Sequence, residues 1–175
     1  MIPHPATLDE DALLAACDVR RQRRSGPGGQ HRNKVETAVV IVHLASGIRG
    51  EASERRSQAE NRRMALHRLR IKLALGVRSD AAERSGANTD SFVPSLLWQS
   101  RLRGERIEVS ASHADFPALL AEALDCLAAF QLDAKLTAER LGCTPSQLVK
   151  FLKLEPEALQ QVNQQRAARG LKALR

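Results

Sequence analysis

The chain has little cysteine, no long apolar run and a shortage of acidic charge. Its three cysteines, Cys17, Cys126 and Cys143, are odd in number, widely separated and form no CxxC pair. This argues against a disulfide scaffold or a cysteine-based zinc site and for buried or free thiols in a reducing cytoplasm. No apolar stretch approaches the ~20 residues of a membrane span. The opening MIPHPATLDEDALL has no basic start followed by an apolar core, so a secretory signal is not expected. No internal repeat is visible. At 175 residues, 43% hydrophobic and 27% charged, the composition is that of an ordinary globular chain.

The acidic shortage is more telling. The net charge is +7 with a pI near 10.0, which suits a polyanionic partner, nucleic acid before membrane. Residues 1–80 hold 15 lysines and arginines against 9 acids, whereas residues 81–175 hold 12 against 11. The excess therefore sits in the first half.

Thr7 and Glu10 have capping-box spacing, which predicts a short helix over Leu8–Cys17. Asp18–Arg24 reads as an edge strand and Thr37–Ala45 (TAVVIVHLA) as a strong strand. Ser46-Gly47 is a turn signal that lets Ile48–Ala52 return as a hairpin. A long helix is expected from about Ser57 to Leu75, capped by Gly76. At 100° per residue, Arg62, Ala65, Leu66, Leu69, Leu73 and Val77 share one face, expected to lie on the sheet. Met64, Ile71 and Leu75 make a second stripe nearly opposite, which implies a second contact. Residues 77–92 are small and polar, the best linker candidate. Pro94–Arg101 reads as a short helix and Ile107–Ser110 as a short strand. Helices are expected over Pro117–Phe130, over Asp133–Leu141 ending at Gly142, after Thr144 with Pro145 in the first turn, and over Pro156–Arg169 stopped by Gly170. His43 and His67 have no partners at metal-ligand spacing, and no metal is expected.

RSGPGGQHRNK, residues 24–34, is the unusual segment. It matches neither the GxxxxGK[ST] phosphate loop nor the GxGxxG dinucleotide turn. Arg23, Arg24, Arg32 and Lys34 bracket it. Gln30 is neutral and cannot act as a general base, but its amide can place a water and its backbone N–H can stabilise a developing oxyanion. Gly28 and Gly29 permit positive φ and remove side chains where a partner must approach closely.

SGPGGQHRNKVETAV resembles the catalytic domain of class-I peptide-chain release factors, whose hallmark is GGQ with an NK-containing run and a strand after it. ERRSQAENRRMAL resembles that family's RSQxxNR segment at the head of the next helix. The resemblance covers residues 17–76. It implies an α+β fold, a small antiparallel sheet on a long helix with a projecting GGQ loop, here followed by an all-α C-terminal module. The division expected is a catalytic domain over 1–80, a linker with short elements over 81–113 and a helical module over 114–175.

The resemblance also implies a function: ribosome-dependent hydrolysis of the peptidyl-tRNA ester, with Gly28, Gly29 and Gln30 as the catalytic tip. The implied partners are the large-subunit rRNA of the peptidyl-transferase centre and the P-site peptidyl-tRNA, so the missing acid–base pair would be supplied by RNA. A methyltransferase acting on Gln30 is a further implied partner. Neither a cofactor nor a membrane is involved, and a cytoplasmic monomer is expected. Arg23, Arg24, Arg32 and Lys34 would meet phosphates, with Ser25, His31 and Asn33 in RNA or loop contacts. Pro27, Arg55, Ser57, Gln58, Asn61 and Arg62 would support the loop and helix start, Ser57 as the cap. Few residues precede the loop and no codon reader follows it, so the chain is most similar to the short codon-independent rescue factors. Those end in a long basic tail, whereas here only RAARGLKALR is basic. Two other readings stand beside this one. One is a non-catalytic ribosome- or RNA-binding protein. The other is a DNA-binding regulator that uses the helix-turn-helix-like residues 133–153.

Overall fold

The computed structural model describes residues 3–22, 38–79 and 92–175. The chain divides into two compact units, one formed by Pro5–Val77 and the other by Arg78–Arg175 with Met1–His4.

The first unit begins with a 3-10 turn, Pro5–Thr7, followed by α1 (Glu10–Ala15), β1 (Cys17–Gln22), β2 (Ala38–His43), β3 (Arg49–Ala52) and α2 (Gln58–Gly76). The three strands form one antiparallel sheet in the order β1-β2-β3. β1 is an edge strand, as expected, with Cys17 opposite His43 and Gln22 opposite Ala38. β2, the most β-branched run, takes the central position, and β3 returns beside it with Gly50 opposite Ile41. Gly47 makes the intervening turn at φ +69°, a torsion open to glycine without strain.

α2 lies on this sheet through Ala65, Leu66, Leu69 and Leu73, all buried. Arg62, expected on that face, is exposed, because the helix start extends past the apolar contact. Of the second stripe, Leu75 is buried while Met64 and Ile71 are half-buried. The 3-10 turn also packs on α2, and Arg70 Nη2 donates to the Leu8 carbonyl, 2.5 Å away.

Two capping expectations are corrected. α1 is capped by Asp9, whose carboxylate accepts from Ala12 N at 2.8 Å. Thr7 instead closes the preceding 3-10 turn, so the helix starts two residues later than Thr7 would place it. Gly76 is the last helical residue, and the cap is Val77 in an extended conformation. Its lack of a side chain serves packing: a Cβ on Gly76 would lie 2.8 Å from Ile48 Cδ1, the flexible end of that side chain.

In the second unit, α3 (Leu96–Arg101) leads into β4 (Leu102–Arg103) and β5 (Arg106–Ile107), a two-stranded hairpin. The strand expected over Ile107–Ser110 is therefore shifted to Arg106–Ile107, where Leu102 and Arg103 supply the pairing partners. Then come α4 (Phe116–Ala129), α5 (Ala134–Leu141), α6 (Pro145–Leu152) and α7 (Pro156–Ala168). The core is built on Trp98, fully buried, whose Nε1 donates to the Leu141 carbonyl at 2.8 Å. Phe151 meets the Trp98 and Phe116 rings edge-on, each at 5.5 Å between centroids. Asp133 caps α5 and Thr144 caps α6, while Gly142 at φ +69° turns the chain between them. The spacing of Thr144 and Gln147 is that of a capping box, and half of it forms: Thr144 Oγ1 accepts from Gln147 N at 3.2 Å, while the Thr144 N–H bonds the Glu105 carbonyl at 3.4 Å.

The basic C-terminal stretch folds back on α7. Leu171 N donates to the Arg166 carbonyl and Arg166 Nε to the Lys172 carbonyl, at 2.9 and 2.7 Å. The Asn163 side chain pairs with the Leu174 backbone in both directions, at 2.7 and 3.1 Å.

Candidate functional site

The GGQ segment lies between two paired strand positions. β1 ends at Gln22, β2 begins at Ala38, and the two are direct cross-strand partners. The intervening residues 23–37 thus start and finish at one end of the sheet. Gly28, Gly29, Gln30 and the flanking Arg23, Arg24, Ser25, Pro27, His31, Arg32, Asn33 and Lys34 all lie outside the described residues.

What the structure describes is the framework at that end. β3 finishes there, since Ala52 pairs with Val39, one position from Ala38. The chain then turns through 53–57 into α2, so the head of α2 lies at the same end of the sheet as Gln22 and Ala38. The second motif occupies this turn and helix start. Ser57 caps α2, its hydroxyl accepting from Glu60 N at 3.4 Å. Asn61 is fully buried and clamps residue 55: Oδ1 accepts from Arg55 N at 2.9 Å and Nδ2 donates to the Arg55 carbonyl at 2.8 Å. That pair occupies both backbone groups of a residue outside any strand. Gln58 is half-buried, and Arg55 and Arg56 are exposed. Arg62 Nη2 approaches Glu10 Oε1 at 3.6 Å with both side chains half in solvent, a pair worth at most about 1 kcal/mol.

Two contributors gave no motif signal. Arg68, one turn beyond the motif, donates through Nη1 to the Glu51 carbonyl at 2.8 Å and to Glu54 Oε1 at 2.6 Å. The Arg68 guanidinium holds the Glu54 carboxyl below the usual carboxylate range. Gly50 is the other: a Cβ there would lie 2.1 Å from the Ala65 carbonyl oxygen and 2.5 Å from Leu69 N. Only glycine allows α2 to approach the sheet this closely. An isolated glycine within a strand pattern was the available signal.

Electrostatically, this end of the unit suits anions. The positive end of the α2 dipole and the exposed Arg55 and Arg56 face it, with Glu60 in the first turn as partial compensation. Among the described residues no three His, Cys, Asp or Glu side chains gather at a spacing that would hold a metal ion, and no helix is long and apolar enough to cross a membrane.

Residues 14–109 match the RF-1 domain family model. Curated relatives include peptide chain release factor 1 of Geobacter sulfurreducens, 34% identical over 103 residues, and that of Acidiphilium cryptum, 42% identical over 101. A rat protein named peptide chain release factor 1-like, mitochondrial, is 43% identical over 90 residues. These alignments cover 59%, 57% and 50% of this chain but only 29%, 29% and 24% of the relatives. The chain therefore spans less than a third of their length. The match extends past residue 76 to include α3 and the β4–β5 hairpin. With more than half of its length matched by that model, the chain belongs to the RF-1 domain family, the catalytic-domain family of class-I release factors.

Proposed function

We propose that this chain promotes hydrolysis of the ester joining peptide to tRNA in the ribosomal peptidyl-transferase centre. The observation that carries the reading is the GGQ run between Gln22 and Ala38, paired positions in an RF-1 domain. Gly28 and Gly29 would let the backbone approach RNA closely. Gln30 would orient the attacking water with its amide and offer its backbone N–H to charge developing on oxygen. Proton transfers fall to the tRNA and rRNA, because an amide does not titrate near neutral pH. Arg23, Arg24, Arg32 and Lys34, with Ser25, His31 and Asn33, would dock the segment on phosphates and bases, giving affinity that falls with salt. Pro27 would stiffen the approach to the tip, and Arg55, Ser57, Gln58, Asn61 and Arg62 would set the end of the sheet from which it starts.

The catalytic unit is placed at 1–80, the connecting elements at 81–113 and the helical module at 114–175. Release is proposed to occur in the cytoplasm, by a monomer and without direct stop-codon reading. Rescue by insertion of a long basic tail is not part of the proposal, because the basic C-terminal stretch is bound back to α7. A methyltransferase acting on Gln30 is part of it.

Release of labelled peptide from ribosome complexes carrying a stop codon, a sense codon or a truncated message tests the reading. Wild type should release peptide, with the truncated or sense-codon complex served at least as well as the stop-codon one. Gly29→Ala should reduce the rate by at least about a hundredfold, on the scale of losing an oxyanion contact. Equal release by wild type and Gly29→Ala would remove the catalytic reading and leave a ribosome-binding role.

A further inference from the structure

The helical unit contains a cleft of about 1060 Å³ that the release reading does not use. It lies between the α4–α5 turn, the outer face of α5 and the point where α7 gives way to the folded-back C-terminal stretch. Its volume is at the upper limit for small-molecule sites, and its walls are open, which suits a segment of a macromolecule.

The turn at its edge is strained. Gln131 and Leu132 are consecutive non-glycine residues at φ 54° and 66°, each costing on the order of 1 kcal/mol or more. The Arg166 guanidinium holds this turn by donating Nη1 to the Leu132 carbonyl, and its Nε holds the C-terminal stretch through Lys172. Both acceptors are neutral carbonyls. Among the described residues no carboxylate lies within ion-pair distance of Arg166, Lys135 or Arg169, so three cations at the cleft keep their charge uncompensated. Arg140 also lines the cleft, its guanidinium over the Phe130 ring at 5.8 Å. Of the two carboxylates lining the cleft, Asp133 is committed to capping α5 through Lys135 N and Leu136 N, and Glu139 is exposed.

Between these cations the cleft is apolar. Leu136 and Leu171 line it and are 47% and 41% exposed, two of the few large apolar side chains left in solvent. Phosphate binding gives no reason for exposed leucines. A single-stranded RNA would need an open aromatic face on which to stack. Phe130 does not offer one: it is 7% exposed, with Arg140 over its face and Phe92 in an edge-on contact at 6.3 Å. We propose that this cleft binds an acidic peptide segment whose apolar side chains seat on Leu136 and Leu171 while its carboxylates meet Lys135, Arg166 and Arg169. Helix-in-groove recognition combines such apolar anchors with a charged border. In this proposal the C-terminal stretch builds one wall of a protein-docking site.

The test uses the full chain as bait for a display library of random linear peptides, followed by fluorescence anisotropy with the selected peptides and with oligouridylate. Selected sequences should carry Asp and Glu around two or more apolar residues and bind more weakly in high salt. The Lys135→Glu/Arg169→Glu double variant and Leu136→Asp should each weaken binding by at least about tenfold. All three positions are exposed, so thermal melts of the variants should match wild type and separate lost binding from lost folding. A selection that yields no acidic binder, or binders indifferent to these substitutions, would overturn the proposal. So would oligouridylate binding that is lost in the same variants, which would assign the cleft to RNA.

Discussion

Replacing Asn61 tests the framework below the GGQ segment at its most specific contact. Its carboxamide makes two hydrogen bonds, one in each direction, to the backbone of Arg55, and it is fully buried. Asn61→Ala removes both; at ~0.5–1.5 kcal/mol each the loss should be roughly 1–3 kcal/mol. Asn61→Asp is the sharper perturbation. An ionised carboxylate can still accept from Arg55 N, but it places a second acceptor against the Arg55 carbonyl and a charge in a buried position. Burial raises the folded-state pKa of such a group above its ordinary ~3.9. The variant side chain is then protonated in the folded state at low pH, and as a carboxylic acid it restores the donor that Asn61 supplies. The deficit relative to wild type should be about 3 kcal/mol at neutral pH, where the carboxylate is charged. It should shrink as pH falls through the raised folded-state pKa. Urea denaturation of wild type and both variants, followed by circular dichroism at pH 7.5 and near pH 4.5, measures this. Because the chain folds as two units, the transition that shifts should be that of Pro5–Val77. An Asn61→Asp deficit that is equal at both pH values, or an Asn61→Ala loss below about 0.5 kcal/mol, would refute the clamp.

The two glycines under α2 should respond differently. Gly50→Ala drives a Cβ into backbone atoms of α2 and should cost about 3 kcal/mol or prevent folding, whereas Gly76→Ala meets only the mobile end of Ile48 and should fall within about 1 kcal/mol of wild type. Denaturation midpoints distinguish the two. Trp98→Phe should lose about 1–2 kcal/mol by leaving the Leu141 carbonyl without its buried donor, read from the unfolding of the helical unit. Burial raises the thiol pKa of Cys126 and takes that of Cys143 to about 11. Mass spectrometry after alkylation at pH 7.5 should therefore show both protected in the native protein and modified once it unfolds. The sign for stability follows: a raised folded-state pKa favours the fold below the unfolded thiol value of ~8.5, and this contribution should be lost as pH rises toward 11. A Cys143→Ala variant should show a shallower alkaline loss.

Much of this architecture was legible in the residues because local and tertiary preferences agree. TAVVIVHLA is β-branched and apolar, and it becomes the central strand, where both faces are covered. The α5–α6 junction carries its own instructions: Asp133, Gly142 and Thr144 act where their cap chemistry places them. The misreadings occurred where two local signals compete. Thr7 and Asp9 both offer a cap, and the 3-10 turn at Pro5 decides in favour of Asp9. Gly76 has the position of a helix stop, yet its lack of a side chain serves the contact with Ile48. The β4–β5 hairpin is too short to show periodicity, with two residues per strand. Arg68 escapes notice for a different reason, and Asn61 is named as a support without the partner it binds. Their partners are backbone atoms, and which backbone atoms fold within reach is not encoded in the identity of the residues that supply them.

The candidate site follows the same division. The tripeptide was recognisable as a pattern, whereas the parts that set where it starts are scattered. Gln22 and Ala38 are held opposite each other by pairing, Gly50 lets α2 sit against the sheet, and Asn61 and Arg68 bind the turn that enters α2. None of these residues offers acid–base chemistry to an ester. Their substitution should therefore act through placement of the tip, raising the concentration at which ribosome complexes are half-saturated and lowering the maximal release rate together. A change at Gln30 or Gly29 should act on the rate after binding. Such a framework would matter because the catalysis proposed for a neutral amide and a backbone N–H depends on distance more than on proton affinity. In the proposed reaction much of the chemistry would come from the RNA partner, so the chain would have to hold its own contribution in position, and the glycine and asparagine contacts at the end of this sheet would be the means of doing so.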